Sequence, residues 1–180
     1  MYQRELLIPL GVKTMFWTYD PLVAKNAYLN IVKLGTRPTE YIVDMYGSAT
    51  QSALHGALGT DRFVVAWDLS TENGADRRAT APTAASGNLH SSAPVVNNVV
   101  PKGDAGEMAA SGLVDAPVVR VEVPTDIEQI IASDFNAAMK LRDATRRAFS
   151  HYMGRGYKIT AFSHRMPEDR CFYILSRSAA

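Results

Sequence analysis

Residues 17–35, Trp17-Thr-Tyr-Asp-Pro-Leu-Val-Ala-Lys-Asn-Ala-Tyr-Leu-Asn-Ile-Val-Lys-Leu-Gly35, carry the end of a strand, a cap and a helix in one run. With the residues before it, Val12 to Tyr19 is rich in β-branched and aromatic types and predicts a buried strand. Asp20-Pro21 then opens a helix, with Asp as N-cap and Pro at the first helical position. Gly35 supplies its stop after Leu34. On a helical wheel Val23, Ala24, Ala27, Tyr28, Ile31 and Leu34 share an apolar face, while Lys25 and Lys33 point away. Asn26 and Asn30, four apart, share a flank.

Working outward, residues 2–8 read as the last turns of a helix stopped by Pro9 and Gly11. A strand is predicted over 39–46, a Gly-rich loop over 47–60 and a strand over 62–69. From Thr71 to Asp115 the chain is mostly Ala, Ser, Gly, Asn and Thr, a composition that buries too little apolar area to offset ordering entropy. Only Val-rich Ala93 to Pro101 suggests a short strand there. Val118 to Val123 alternates like a half-buried strand. Thr125-Asp-Ile-Glu128 has the form of a capping box ahead of a helix over 126–132. Asp134 caps a longer helix, 135–153, ended by Gly154 and Gly156. Strands near 157–163 and 170–176 close the chain. The expected organisation is 1–70, a linker or loop over 71–115, and an α+β extension over 116–180 packing on the same core.

The chain has 180 residues, 47% hydrophobic and 21% charged, enough for one ordinary domain with an appendage. Nineteen basic and 18 acidic residues leave a net charge of +1, which argues against nucleic acid or an anionic membrane as partner. Cys171 is the single cysteine, so no intrachain disulfide forms. No apolar run reaches membrane-span length, and the first residues lack a signal-peptide layout. A cytoplasmic location is the expectation.

The Trp17–Gly35 block resembles the strand-then-helix segment of the GNAT superfamily of acetyl-CoA-dependent N-acetyltransferases, in its "predicted acetyltransferase" subgroup. The likeness continues through Met45-Tyr46-Gly47, Leu58 to Trp67, Val123-Pro-Thr-Asp126, Arg142, Thr145-Arg146 and Gly154-Arg-Gly-Tyr157. It implies a mixed sheet with packed helices, acetyl-CoA as cosubstrate, and acyl transfer to a small amine. Asn26 and Asn30 are then candidates to hydrogen-bond the pantetheine chain. Two features depart from the family. Its pyrophosphate loop, of the type Gln/Arg-x-x-Gly-x-Gly/Ala, precedes the helix in which Met1 falls, so the expected domain is N-terminally truncated. The family's helix Asn and its thiolate-protonating Tyr correspond here to Ala24 and Ile31, and neither role transfers. Tyr28 lies nearby on another face.

Four further residues are substrate or anion candidates: Asp61, Arg62, Arg142 and Arg146. The two later arginines fall on the edge of the apolar face of their helix, beside Phe135, Met139, Phe149 and Met153. An unpaired guanidinium there is costly. It pairs with a carboxylate such as Asp126 or Glu128, binds a substrate anion, or snorkels to solvent. Asp61-Arg62, at a loop-to-strand junction, either fixes the loop or lines a substrate cleft. Asp20 reads as a cap before it reads as a base. Trp17 and Trp67 read as core. His55, His90, His151 and His164 share no metal-ligand spacing, and His55 is the one placed in a loop where a base would serve. Cys171 reads as a small buried hydrophobe. The alternative to an enzyme is a non-catalytic ligand-binding or oligomerisation module. An exposed half-sheet edge predicts a homo-oligomer.

Overall fold

A computed structural model describes residues 2–47, 58–69, 92–97, 113–165 and 169–177. His55, His90 and most of the 71–115 linker lie outside these. The fold is α+β, with two three-stranded antiparallel sheets. Strands β1 (Thr14–Tyr19), β2 (Arg37–Ile42) and β3 (Arg62–Asp68) form the first, in the order β1-β3-β2. Strands β4 (Val118–Val123), β5 (Lys158–Arg165) and β6 (Arg170–Ser176) form the second, in the order β4-β6-β5. The expected single mixed sheet is thus replaced by two antiparallel ones, which meet where β2 lies against β5. Among the described residues, parallel pairing is confined to a bridge between Val95 and Arg120.

Four α-helices are described: α1 (Tyr2–Leu7), α2 (Ala24–Ala27), α3 (Ile127–Ser133) and α4 (Phe135–Gly154). The α1 helix ends in a 3-10 turn over Ile8–Leu10, closed by Gly11 at φ +78°, where a left-handed residue carries no Cβ penalty. The α2 helix widens into a π-helical segment, Tyr28–Lys33, in which Leu34 donates to Leu29. Such widening is rare and recurs at functional sites. It also overturns the helical wheel: with extra residues in the turn, Asn30 swings into the interior and Tyr28 out to solvent.

Several boundaries move for identifiable reasons. Asp20 does not cap the helix. Its carboxylate accepts from Leu22 N at 2.9 Å in a local turn, and Val23 occupies the N-cap. The Thr125 capping box is replaced by Asp126, which accepts from Gln129 N at 3.0 Å, while Thr125 turns to Asp169. Asp134 caps α4 as expected, through Ala137 N. The 39–46 strand starts at Arg37 and ends at Ile42, because Asp44 takes a left-handed turn at φ +48°.

One hydrophobic cluster draws on both halves of the chain. Its centre is aromatic: Phe63 of β3 meets Phe149 of α4 at 4.8 Å, and both meet Tyr173 of β6 at 5.3–5.4 Å, in edge-to-face geometry. Met15, Trp17 and Tyr19 pair across the ladder with Trp67, Val65 and Phe63, so these six side chains share one sheet face. That face is core at Phe63 and Val65 but opens toward Met15 and Trp67. β1 is an edge strand, not the buried strand expected; both tryptophans are partly buried, Trp17 packed against the core cluster.

Candidate functional site

The four sequence candidates Asp61, Arg62, Arg142 and Arg146 converge, and Asp20 joins them. Arg142, on α4, forks onto Asp20 at 2.9 and 2.6 Å, and Arg62 reaches the same carboxylate at 3.2 Å. Arg146, one turn on, forks onto Asp61 at 3.0 and 2.7 Å. Asp61 also accepts from Tyr41 Oη and from Asp44 N. Asp44 in turn holds Thr60 N and Oγ1 at 3.0 Å each. Gly59, at φ +80°, passes so close that a Cβ there would lie 2.6 Å from Arg146 Nη2.

This cluster balances three carboxylates, Asp20, Asp44 and Asp61, against three guanidinium groups. Burial alone would raise the pKa of Asp61, but hydrogen bonds from Arg146, Tyr41 and the Asp44 amide outweigh it and hold the carboxyl below its ordinary value. The Tyr41 phenol is driven well above its ordinary value, by burial first and then by Asp61. With both arginine forks filled by carboxylates, the arrangement is a clamp: it ties α4 to the loops flanking β1 and β3. The partners are Asp20 and Asp61, not Asp126 or Glu128. Glu128 instead pairs with Lys25 on the surface, and Asp126 caps α3.

A separate cleft of about 650 Å³ opens on the first sheet. Its floor is Met15, Trp17 and Trp67. One wall is α1, through Tyr2, Gln3 and Arg4, whose Nε donates to Leu69 O at 3.2 Å. The other wall is α2 and the π segment that continues it, through Asn26, Leu29, Asn30 and the capping Leu34. Thr18 and Tyr19 line its end. That volume and lining fall in the range of small-molecule sites.

Sequence and structure agree that Asn26 and Asn30 lie on one side of this helix, but they differ in availability. Asn30 Oδ1 accepts the Trp17 indole N–H at 2.7 Å, and its Nδ2 donates to Asn26 O at 2.8 Å. Asn30 is buried and fixes Trp17, while Asn26 presents its side chain to the cleft. An exposed half-sheet edge is expected from the sequence, and the structure places one on β1. Leu69 N donates to Lys13 O at 2.8 Å, so the alternation of an antiparallel ladder turns the backbone groups of Thr14, Phe16 and Thr18 outward. No strand pairs with that edge among the described residues. By contrast the outer edge of β4 is covered: Val96 and Pro94 bond to Arg120, and the Asn97 amide bonds to both backbone groups of Glu122.

Other candidates resolve simply. The Cys171 thiol is pushed up to about 11, by burial first and then by the Asp169 and Glu122 carboxylates, which suits a buried hydrophobe. His164 Nε2 meets Asp169 at 2.8 Å on the surface. Among the described residues no group of three metal-donor side chains exists, and no helix is long and apolar enough to cross a membrane. Comparison with known protein families, curated proteins and solved structures finds no match to this chain.

Proposed function

We propose that the chain is a GNAT-like, acyl-CoA-dependent N-acyltransferase, with the pantetheine arm of the acyl-CoA lying along the outer edge of β1. The observation that carries this reading is the outward backbone of β1 at Phe16 and Thr18, of which Thr18 lines the small-molecule cleft. An extended ligand bearing amides is held by such an edge as an added strand would be. The Asn26 amide, across the cleft, is a second polar contact for the same arm. These groups fit pantetheine. No glycine-rich amide cradle ahead of a helix is present among the described residues for the pyrophosphate, so affinity rests on the arm and the acyl group.

Acyl-CoA would supply an activated thioester when bound. The protein's share is positioning. The outward N–H groups of Phe16 and Thr18 hold amide and thioester carbonyls, and hydrogen bonds of this kind are strongest where charge develops. The walls contributed by α1 and the π segment exclude water from one side.

Thermal unfolding with acetyl-CoA tests this. At 100 times its dissociation constant a ligand adds about 2.7 kcal/mol, a rise in Tm of roughly 5–11 °C for a chain of this size. Phe16→Pro removes one outward N–H on an exposed edge where proline is tolerated, and should abolish the rise. Asn26→Ala should reduce it without altering β1. A folded wild-type chain with no shift retires the reading. A second reading, association of copies through β1, is favoured by the apolar residues around the same edge: Phe16 is 67% exposed and Leu10 76%. Sedimentation of a stable monomer would count against it.

A further inference from the structure

We infer that the cleft is built for a planar aromatic ring, and, resting on the acyl-transfer reading for the chemistry, that the acceptor is an aromatic amine. Trp17 and Trp67 stand on one sheet face with ring centroids 6.2 Å apart and planes at 90°. Both are partly buried, and both line the cleft. Their arrangement is not loose. The indole N–H of Trp17 is held by Asn30, whose own amide donates to Asn26 O in α2, so that the ring plane is fixed before any ligand arrives. A third ring entering beside a fixed edge-to-face pair stacks offset on one indole and meets the edge of the other, the two geometries that aromatic quadrupoles favour. Met15, beside Trp67, adds a polarizable contact.

The charge of the lining selects within aromatic ligands. Among the described residues that line the cleft there is no Asp, Glu, His or Cys. None of these described lining residues offers an alkylammonium a carboxylate counter-ion, or an imidazole or carboxylate to take its proton before attack. An aromatic amine is uncharged at neutral pH, because its lone pair is shared with the ring. Its nitrogen attacks the acyl carbonyl carbon as a neutral nucleophile. The new C–N bond forms, the thioester C–S bond breaks with its electron pair going to sulfur, and the proton released by nitrogen ends on the thiol of free CoA through solvent.

The protein contains two tryptophans, both at this site, so their fluorescence reads the cleft directly. The full chain is titrated with p-anisidine, with anisole as ring without amine, and with cyclohexylamine as amine without ring. Saturable quenching by p-anisidine and anisole, and none by cyclohexylamine, is expected. Trp67→Leu should weaken the p-anisidine midpoint on the order of 2–10-fold, and Trp67→Phe should restore most of it. Equal responses to cyclohexylamine, or no saturable response in the wild-type chain, would overturn the ring site whether or not the variants fold. Release of free CoA thiol from acetyl-CoA is then followed with each amine. Faster release with p-anisidine supports the acceptor assignment, and faster release with cyclohexylamine overturns it while leaving acyl transfer standing. Quenching by the rings without any thermal shift from acetyl-CoA keeps the aromatic site and removes the acyl-transfer reading.

Discussion

Arg142 and Lys25 show how differently two ion pairs can weigh in one molecule. The Arg142 side chain is 2% exposed and forks onto Asp20, whereas Lys25 and Glu128 are 72% and 68% exposed at 3.3 Å. Arg142→Ala removes a two-point fork from Asp20, which keeps Arg62 and Leu22 N, so it should lower stability by about 1–3 kcal/mol. Lys25→Ala should cost about 0–1 kcal/mol, since solvent already screens the pair. Urea unfolding of the two variants reads the contrast. That Arg142 and Arg146 pair with carboxylates is one of the three readings that their place at the edge of an apolar helix face allows. Which carboxylate answers is not legible in the sequence: Asp20 and Asp61 lie 122 and 85 residues away, beyond any local pattern.

At the scale of elements, the strands and helices that alternate or cap strongly were readable. β3, β4, β6 and α4 lie within a residue or two of their expected bounds, because period and caps coincide there. The π segment was not readable, since nothing in a wheel drawn at a fixed turn angle signals a change of turn. With it went the inward swing of Asn30 and hence the hold on Trp17. The edge of β4 gives a test of a different device. Asn97 substitutes for a neighbouring strand by bonding Glu122 O at 2.8 Å and Glu122 N at 2.7 Å. Asn97→Ala leaves both groups buried and unpaired, a cost of about 1–3 kcal/mol. Hydrogen exchange should show faster exchange at Glu122 N–H in that variant, with the β5–β6 ladder unchanged.

For the whole molecule, buried titratable groups bracket the stable range of pH. Asp61 has a folded pKa below its ordinary 3.8, so its contribution is complete at neutral pH and is lost as pH falls below about that value. Tyr173, fully enclosed, is raised by burial first and then by Tyr19, well above its ordinary 10.0; Tyr41 is raised as well. Folding therefore loses support as pH climbs past about 10, where the unfolded phenols ionise. Urea midpoints measured from pH 3 to 11 should form a plateau with two falling limbs. Tyr173→Phe should weaken the alkaline limb and spare the acid one, whereas Asp61→Asn should weaken the acid limb and, because Asp61 also raises Tyr41, part of the alkaline one.

The clamp sets a timetable for synthesis. Asp20 meets Arg142 only after a further 122 residues have been added, and the Tyr173 hydroxyl reaches Pro21 O across 152. At ribosomal rates of about 5–20 residues per second, the Asp20 carboxylate waits roughly 6–24 s for the Arg142 that neutralises it. During that interval the aromatic face of β1 and β3 has neither Phe149 nor Tyr173 against it. That face is therefore open to solvent over this window, and slower translation of the 71–115 segment would lengthen its exposure.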